Sequence, residues 1–222
     1  MMTDRQHITD KILIQTARVV STIFTPFSIP FLAFLILLLV SYLRMLPLTY
    51  KLIILGIVYT FTILTPSLAI FLYCRLNKLN TRDLTLRHHR YLPFLFTILS
   101  YTCCLVLMRK INIPWYMTGI IFAALFMQVI CIIVNLKWKL SEHMAGAGAI
   151  IGGLLAFSSL FGYNPIWWLC LFILVTGMLG SARMILGHHT LSEVFGGFAV
   201  GLSCSLLVLH PFFGMKFAFL LF

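Results

Sequence analysis

From Val19 to Leu43, from Leu52 to Cys74 and from Ile111 to Leu136 the chain runs without a single charged side chain. Runs of that length constrain the fold more than any other feature. A helix rising about 1.5 Å per residue needs only about 20 residues to cross roughly 30 Å of hydrocarbon, and in lipid a helix satisfies its own backbone groups. A water-facing surface cannot be built around such stretches, and the composition agrees: 61% of the 222 residues are hydrophobic, 9% are charged and the mean hydropathy is +1.05. Soluble domains sit near half apolar and a quarter charged. The expected fold class is all-α, a polytopic transmembrane helix bundle.

Seven candidate spans are predicted, at 19–43, 51–74, 92–108, 114–136, 144–161, 165–180 and 194–210. The last three are short and rich in glycine, so six spans remain an alternative. The chain reads as a single membrane-embedded domain, 1–222. Residues 1–18 are mixed polar and apolar, with Ile8, Ile12 and Val19 able to share one helical face, which predicts an interfacial segment lying on the membrane surface. They lead into a run far longer than a signal-peptide core, and no small-residue cleavage site is evident, so no processing is expected. Pro26 and Pro30 are expected to kink the first span. The six cysteines are scattered through apolar runs with no C-x-x-C spacing and read as buried thiols used as small hydrophobes.

The formal charge of +11 is unevenly placed. With seven spans, the N-terminus and segments 75–91, 137–143 and 181–193 share one face, which then carries eleven of the sixteen Lys and Arg residues and all five acids. Arg44, Lys51, Arg109, Lys110 and Lys216 fall on the other. The bias has the form of a positive-inside signal. Several of the eleven are also candidates for anion binding or for attraction to anionic lipid headgroups, so the orientation stays open. Five of the seven histidines (His88, His89, His143, His188 and His189) stand in the three segments of that same face.

Segment 181–193, Ser-Ala-Arg-Met-Ile-Leu-Gly-His-His-Thr-Leu-Ser-Glu, is the most informative. Arg183 precedes His189 by six positions and Glu193 follows it by four. If the chain is helical from about Thr190, Glu193 can take a proton bond from one ring nitrogen of His189 and leave the other free, the orientation a nucleophilic histidine needs. Arginine suits the other reactant, because guanidinium grips phosphate oxygens through paired donors and stays charged. In segment 137–143, Lys-Trp-Lys-Leu-Ser-Glu-His, Ser141 is placed as an N-cap and His143 falls in the first helical turn, where it could pass a proton to a leaving oxygen. The glycines at 146, 148, 152 and 153 read as close-packing positions between helices.

These residues resemble the type 2 phosphatidic acid phosphatase (PAP2) superfamily of membrane phosphatases. Its three motifs are usually summarised as K-x6-R-P, P-S-G-H and S-R-x5-H-x3-D. Arg183, Gly187, His189 and Glu193 match the third, with Ser181-Ala-Arg183 where Ser-Arg is usual and Glu for Asp. Ser141 and His143 match the second, without its Pro and Gly. The first is the weakest match: Asp83 stands where its lysine would be, leaving Arg82, Arg87 and Arg90, with Pro93 close behind. The resemblance covers about 75–205 as a motif-bearing core.

It implies that His189 attacks phosphorus to form a phosphohistidine, that Glu193 orients it, and that His143 protonates the leaving group and then activates water. Arg183, Ser141, Arg90 and Arg87 would hold the phosphoryl oxygens, with Lys139 and Lys137 as helpers. No metal and no cofactor is expected, because phosphoryl transfer needs mainly positioning and charge. The expected partners are a membrane lipid substrate and the bilayer, with no nucleic acid, in a bacterial cytoplasmic (inner) membrane; the oligomeric state is open. Candidate substrates are phosphatidate, phosphatidylglycerol phosphate, a polyprenyl diphosphate or a lipid A type phosphate. A lipid phosphotransferase and a degenerate scaffold or transporter are the alternatives. A membrane cytochrome fits less well, since its axial histidines face each other within a bundle, whereas here they gather at one interface beside arginines.

Overall fold

The computed structural model describes residues 2–77 and 91–212. Among them every regular element is helical: α1 (Met2–Ile23), α2 (Ser28–Val40), α3 (Leu48–Tyr59), α4 (Thr65–Leu76), α5 (Tyr91–Lys110), α6 (Trp115–Asn135), α7 (Glu142–Phe161), α8 (Ile166–Ile185) and α9 (Leu191–Leu209). Six stretches are long and apolar enough to cross a bilayer: Leu48–Leu76, Pro93–Lys110, α6, α7, α8 and α9. The pair α1–α2 makes a seventh if its two halves count as one span.

That pair bends by 69° at its break. Pro26 lies in the break and has no N–H with which to continue a helix. The polar groups exposed there are met locally, the Ser28 hydroxyl donating to the carbonyls of Thr25 (2.8 Å) and Ile23 (3.2 Å). Pro30, expected to add a kink, sits instead in the first turn of α2, where its N–H would have lacked a partner anyway. Between α3 and α4 the helix widens into one π-helical turn, Thr60–Leu64, and runs on as a single 29-residue stretch. The cause is Pro66, whose ring crowds the preceding turn. Displaced carbonyls find side chains: Thr60 O accepts from the Thr65 hydroxyl at 2.8 Å and Phe61 O from the Ser100 hydroxyl of α5.

α7 and α9 form the closest pair in the bundle. A Cβ added at Gly201 would run into the Ala145 carbonyl, and one at Gly197 into that of Ser141. The backbones are in contact, which glycine alone permits. Gly146 and Gly148 are close-packing positions as expected, against Ile29 and the Phe198 carbonyl, while Gly153 has ordinary room. α8 lies between α1 and the α7–α9 pair; Met144, Ala147, Leu179 and Val194 form a buried cluster there, closed by Val20 of α1 and by Phe24 just after it. Toward the other end, Phe34, Leu38, Ile54, Tyr101, Met108, Met117 and Ile121 interdigitate in a larger cluster from α2, α3, α5 and α6.

The connections sort by end. Leu46, Pro47 and Tyr50 meet Pro114 and Tyr116 at one end. At the other, the α6–α7 and α8–α9 connections meet each other and α1. Of the predicted surface face of α1, Ile12 and Val19 are exposed and Ile8 is outside the described side chains. Of the cysteines, Cys74, Cys104, Cys131 and Cys204 are buried as expected, but Cys103 and Cys170 are exposed on helix faces turned away from the core.

Candidate active site

Local sequence builds the α8–α9 connection. α8 is closed just past its end by Gly187, whose φ of +66° is left-handed. Gly187 N–H donates to Met184 O (2.9 Å) and His188 N–H to Arg183 O (3.1 Å), the paired bonds of a Schellman C-cap. Arg183 is thereby fixed in the last turn of α8, with the chain turned back beside it. α9 opens at Thr190 with a capping box in which Glu193 Oε2 accepts the Thr190 N–H at 3.0 Å.

The same Oε2 lies 3.2 Å from His189 Nδ1. A carboxylate only accepts, so Nδ1 carries the proton and Nε2 keeps its lone pair. Glu193 therefore has two duties, closing the helix end and orienting the histidine. The capping box was legible as Thr-x-x-Glu at 190–193 and the sequence reading passed over it. An aspartate there would be one methylene shorter, and capping boxes favour Glu or Gln at this position.

Long-range contacts add the rest. Ser141 N–H donates to Glu193 O at 3.3 Å, joining the start of α7 to the first turn of α9. Lys139 Nζ donates to His188 O at 2.7 Å, and Leu140 N–H to Asn135 Oδ1 at 2.8 Å, which tie down the α6–α7 connection. Arg183 Nη1 donates to Ser21 Oγ of α1 at 2.8 Å. His143, half-buried in the first turn of α7, bonds to the backbone of Ser21 and lies close enough to feel the charges of Arg183, His189 and His188. His189, His143, Arg183, Ser141, Lys139 and Glu193 thus come together. Lys137 is exposed in the α6–α7 connection, and among the described residues Arg183 and Lys139, not Lys137, are the cations that bear on His189. Arg82, Arg87 and Arg90 lie outside the described residues. Ser21 was missed, and nothing in its local sequence distinguishes it.

Ser141 departs from expectation in one respect. It occupies the N-cap position of α7, but its hydroxyl makes no capping bond. The residue is wholly buried and Oγ has no hydrogen-bond partner. A buried hydroxyl left unmatched costs about 1–3 kcal/mol, so a donor or acceptor arriving at this helix end would relieve a standing penalty.

The electrostatics point to an anion. Burial, and next the guanidinium of Arg183, lower the His189 imidazole to about 4, with the Glu193 bond opposing them. The ring is neutral and nucleophilic near neutral pH. Arg183 and Lys139 bear on it, and Glu193 pairs with the ring. No group of three or more His, Cys, Asp or Glu side chains suited to a metal ion occurs among the described residues. Searches with this chain find no matching protein-family model, no curated protein and no solved structure.

Proposed function

We propose that the chain is an integral membrane phosphatase of the PAP2 type, which hydrolyses a lipid phosphate or diphosphate in a bacterial cytoplasmic membrane. The observation that carries this reading is the pairing of His189 with Glu193 beside Arg183, His143 and the unmatched Ser141 hydroxyl at the α7 N-terminus. A phosphoryl group there would meet a nucleophile, an acid, a guanidinium and a positive helix end together.

In the first step the Nε2 lone pair forms an N–P bond as the bond from phosphorus to the leaving oxygen breaks. The electron pair goes to that oxygen, which takes a proton from His143. Negative charge on the bound phosphoryl group favours the protonated His143 this requires. In the second step His143 removes a proton from water as the water oxygen attacks phosphorus. The N–P bond breaks, its electrons return to Nε2 and inorganic phosphate departs. Glu193 offsets the positive charge that the ring carries while phosphorylated, and Arg183 and Ser141 hold the non-bridging oxygens. A site at the membrane interface meets a phosphate already carried on a lipid, which favours phosphatidate, phosphatidylglycerol phosphate, polyprenyl diphosphate or a lipid A type phosphate over soluble esters.

The test is phosphate release from those lipids by detergent-purified protein in EDTA, beside His189→Ala. Release should fall on the order of 10⁴-fold in the variant. Equal release by His189→Ala, or none from any lipid by folded wild-type protein, would sink the proposal.

A further inference from the structure

Beside the histidine cluster lies a second cavity that the mechanism above does not use. It is a cleft of about 420 Å³ between α1 and the end of α8, open to the exterior. Its polar lining is Arg18, Ser21 and Thr22 from α1 and His188 from the α8–α9 connection; Ile14 and Ile185 flank them. The volume is far more than the roughly 30 Å³ of one water and falls within the range of small-ligand sites. Arg18, Ser21 and Thr22 are spaced i, i+3 and i+4, so one face of α1 presents them together. Among the described residues no acidic side chain lines the cleft.

Two features join this cleft to the catalytic cluster. Ser21 lines it and also accepts the Arg183 hydrogen bond. His188 lines it, while its sequence neighbour His189 is buried against Glu193. One step of backbone therefore separates the side chain facing the cleft from the nucleophile. An anion in the cleft would share Ser21 and the His188–His189 backbone with a phosphoryl group at His189.

We infer that this cleft is a subsite for a second phosphoryl group, with Arg18 as its cation, so that the preferred substrate class is a lipid diphosphate. The inference rests on the phosphatase reading. The terminal phosphorus takes the His189 Nε2 pair; the bond to the bridging oxygen breaks; that oxygen keeps the electrons and leaves as part of the lipid monophosphate. Arg18 meets the charge that collects there, so it binds the leaving group and has no part in a monophosphate's hydrolysis. Ile14 and Ile185 give the lipid chain an apolar edge along which to leave.

The experiment compares wild type with Arg18→Gln, a change at an exposed side chain that leaves the packed interior untouched, in two readouts. The first is hydrolysis of a polyprenyl diphosphate against the monophosphate with the same chain. The second is the rise in unfolding temperature produced by inorganic pyrophosphate against orthophosphate, with the full chain in detergent. Arg18→Gln should lower kcat/KM for the diphosphate about 10- to 100-fold, the worth of one charge-assisted contact, and leave the monophosphate within about twofold. It should also abolish any extra stabilisation by pyrophosphate. Equal losses on both lipids, or no difference between the two anions in wild type, would overturn the subsite while leaving the phosphatase standing. A pyrophosphate preference that disappears in Arg18→Gln, in a protein that hydrolyses neither lipid, would keep the subsite and overturn the phosphatase.

Discussion

The α7–α9 pair and the cluster built by α2, α3, α5 and α6 are both apolar interiors, yet they are held together differently. In the first, Gly197 and Gly201 bring backbone against backbone. In the second, large side chains such as Phe34, Tyr101 and Met117 interdigitate. Side chains can change rotamer to absorb an error, whereas two touching backbones cannot. The residues that the proposed reaction would need placed within fractions of an ångström, Ser141, His143, His189 and Glu193, all stand at the end of the backbone-packed pair. Rigidity is concentrated where the chemistry would need it.

The largest expected effect breaks that contact. Gly201→Ala should lower stability by about 3 kcal/mol and remove most activity, because the new Cβ meets the Ala145 carbonyl and one helix must move away. Met117→Leu in the other cluster should cost less than about 1.5 kcal/mol and leave activity near wild type. Thermal unfolding in detergent, with phosphate release on the same samples, compares the two; equal tolerance would remove the distinction.

Next in size, Glu193→Gln separates the two duties of that side chain. The amide oxygen can still accept the Thr190 N–H, so stability should hold, while loss of charge beside His189 should slow phosphate release about 100-fold. An unfolding temperature that drops in step with the rate would mean that Glu193 serves the helix end alone.

Ser141→Ala sharpens the comparison further. An ordinary capping serine costs about 1 kcal/mol when truncated. Here the hydroxyl caps nothing, so stability should be unchanged or slightly raised, and KM for the phosphate substrate should rise about tenfold. A loss of stability with unchanged KM would return Ser141 to a structural role.

The smallest effect is on pH dependence. His189 is held at about 4, below its ordinary 6.5, so between those values the unfolded chain binds a proton that the folded protein refuses. Stability from this residue is therefore intact above about pH 6.5 and is lost as the pH falls toward 4. Wild type should lose more unfolding temperature than His189→Gln between pH 7 and pH 4; parallel curves would show that the ring is not held neutral.

Much of the site is local and could be read without a fold. Charge-free runs gave the spans, and the i, i+4 interval joined His189 to Glu193. Each rests on backbone geometry within about one helical turn, where residue identity and spacing are enough. The π-helical turn before Pro66 was less legible, because a proline in a long apolar run can kink, break or widen a helix, and the outcome here goes with the Ser100 hydroxyl that α5 supplies to the displaced carbonyl.

The sequence by itself thus determined that the chain is helical, where it can cross a bilayer, and which histidine has its own carboxylate. Only the tertiary structure decided that Ser21 of α1 would hold Arg183, that Ser141 would be bound through its backbone to α9 with its hydroxyl left over, and that Lys139 would fasten the His188 carbonyl. Those contacts join residues 49 or more positions apart. No local conformational preference reaches that far; which helix faces meet is settled by packing the whole bundle, and at this end by the glycines that let α7 and α9 touch.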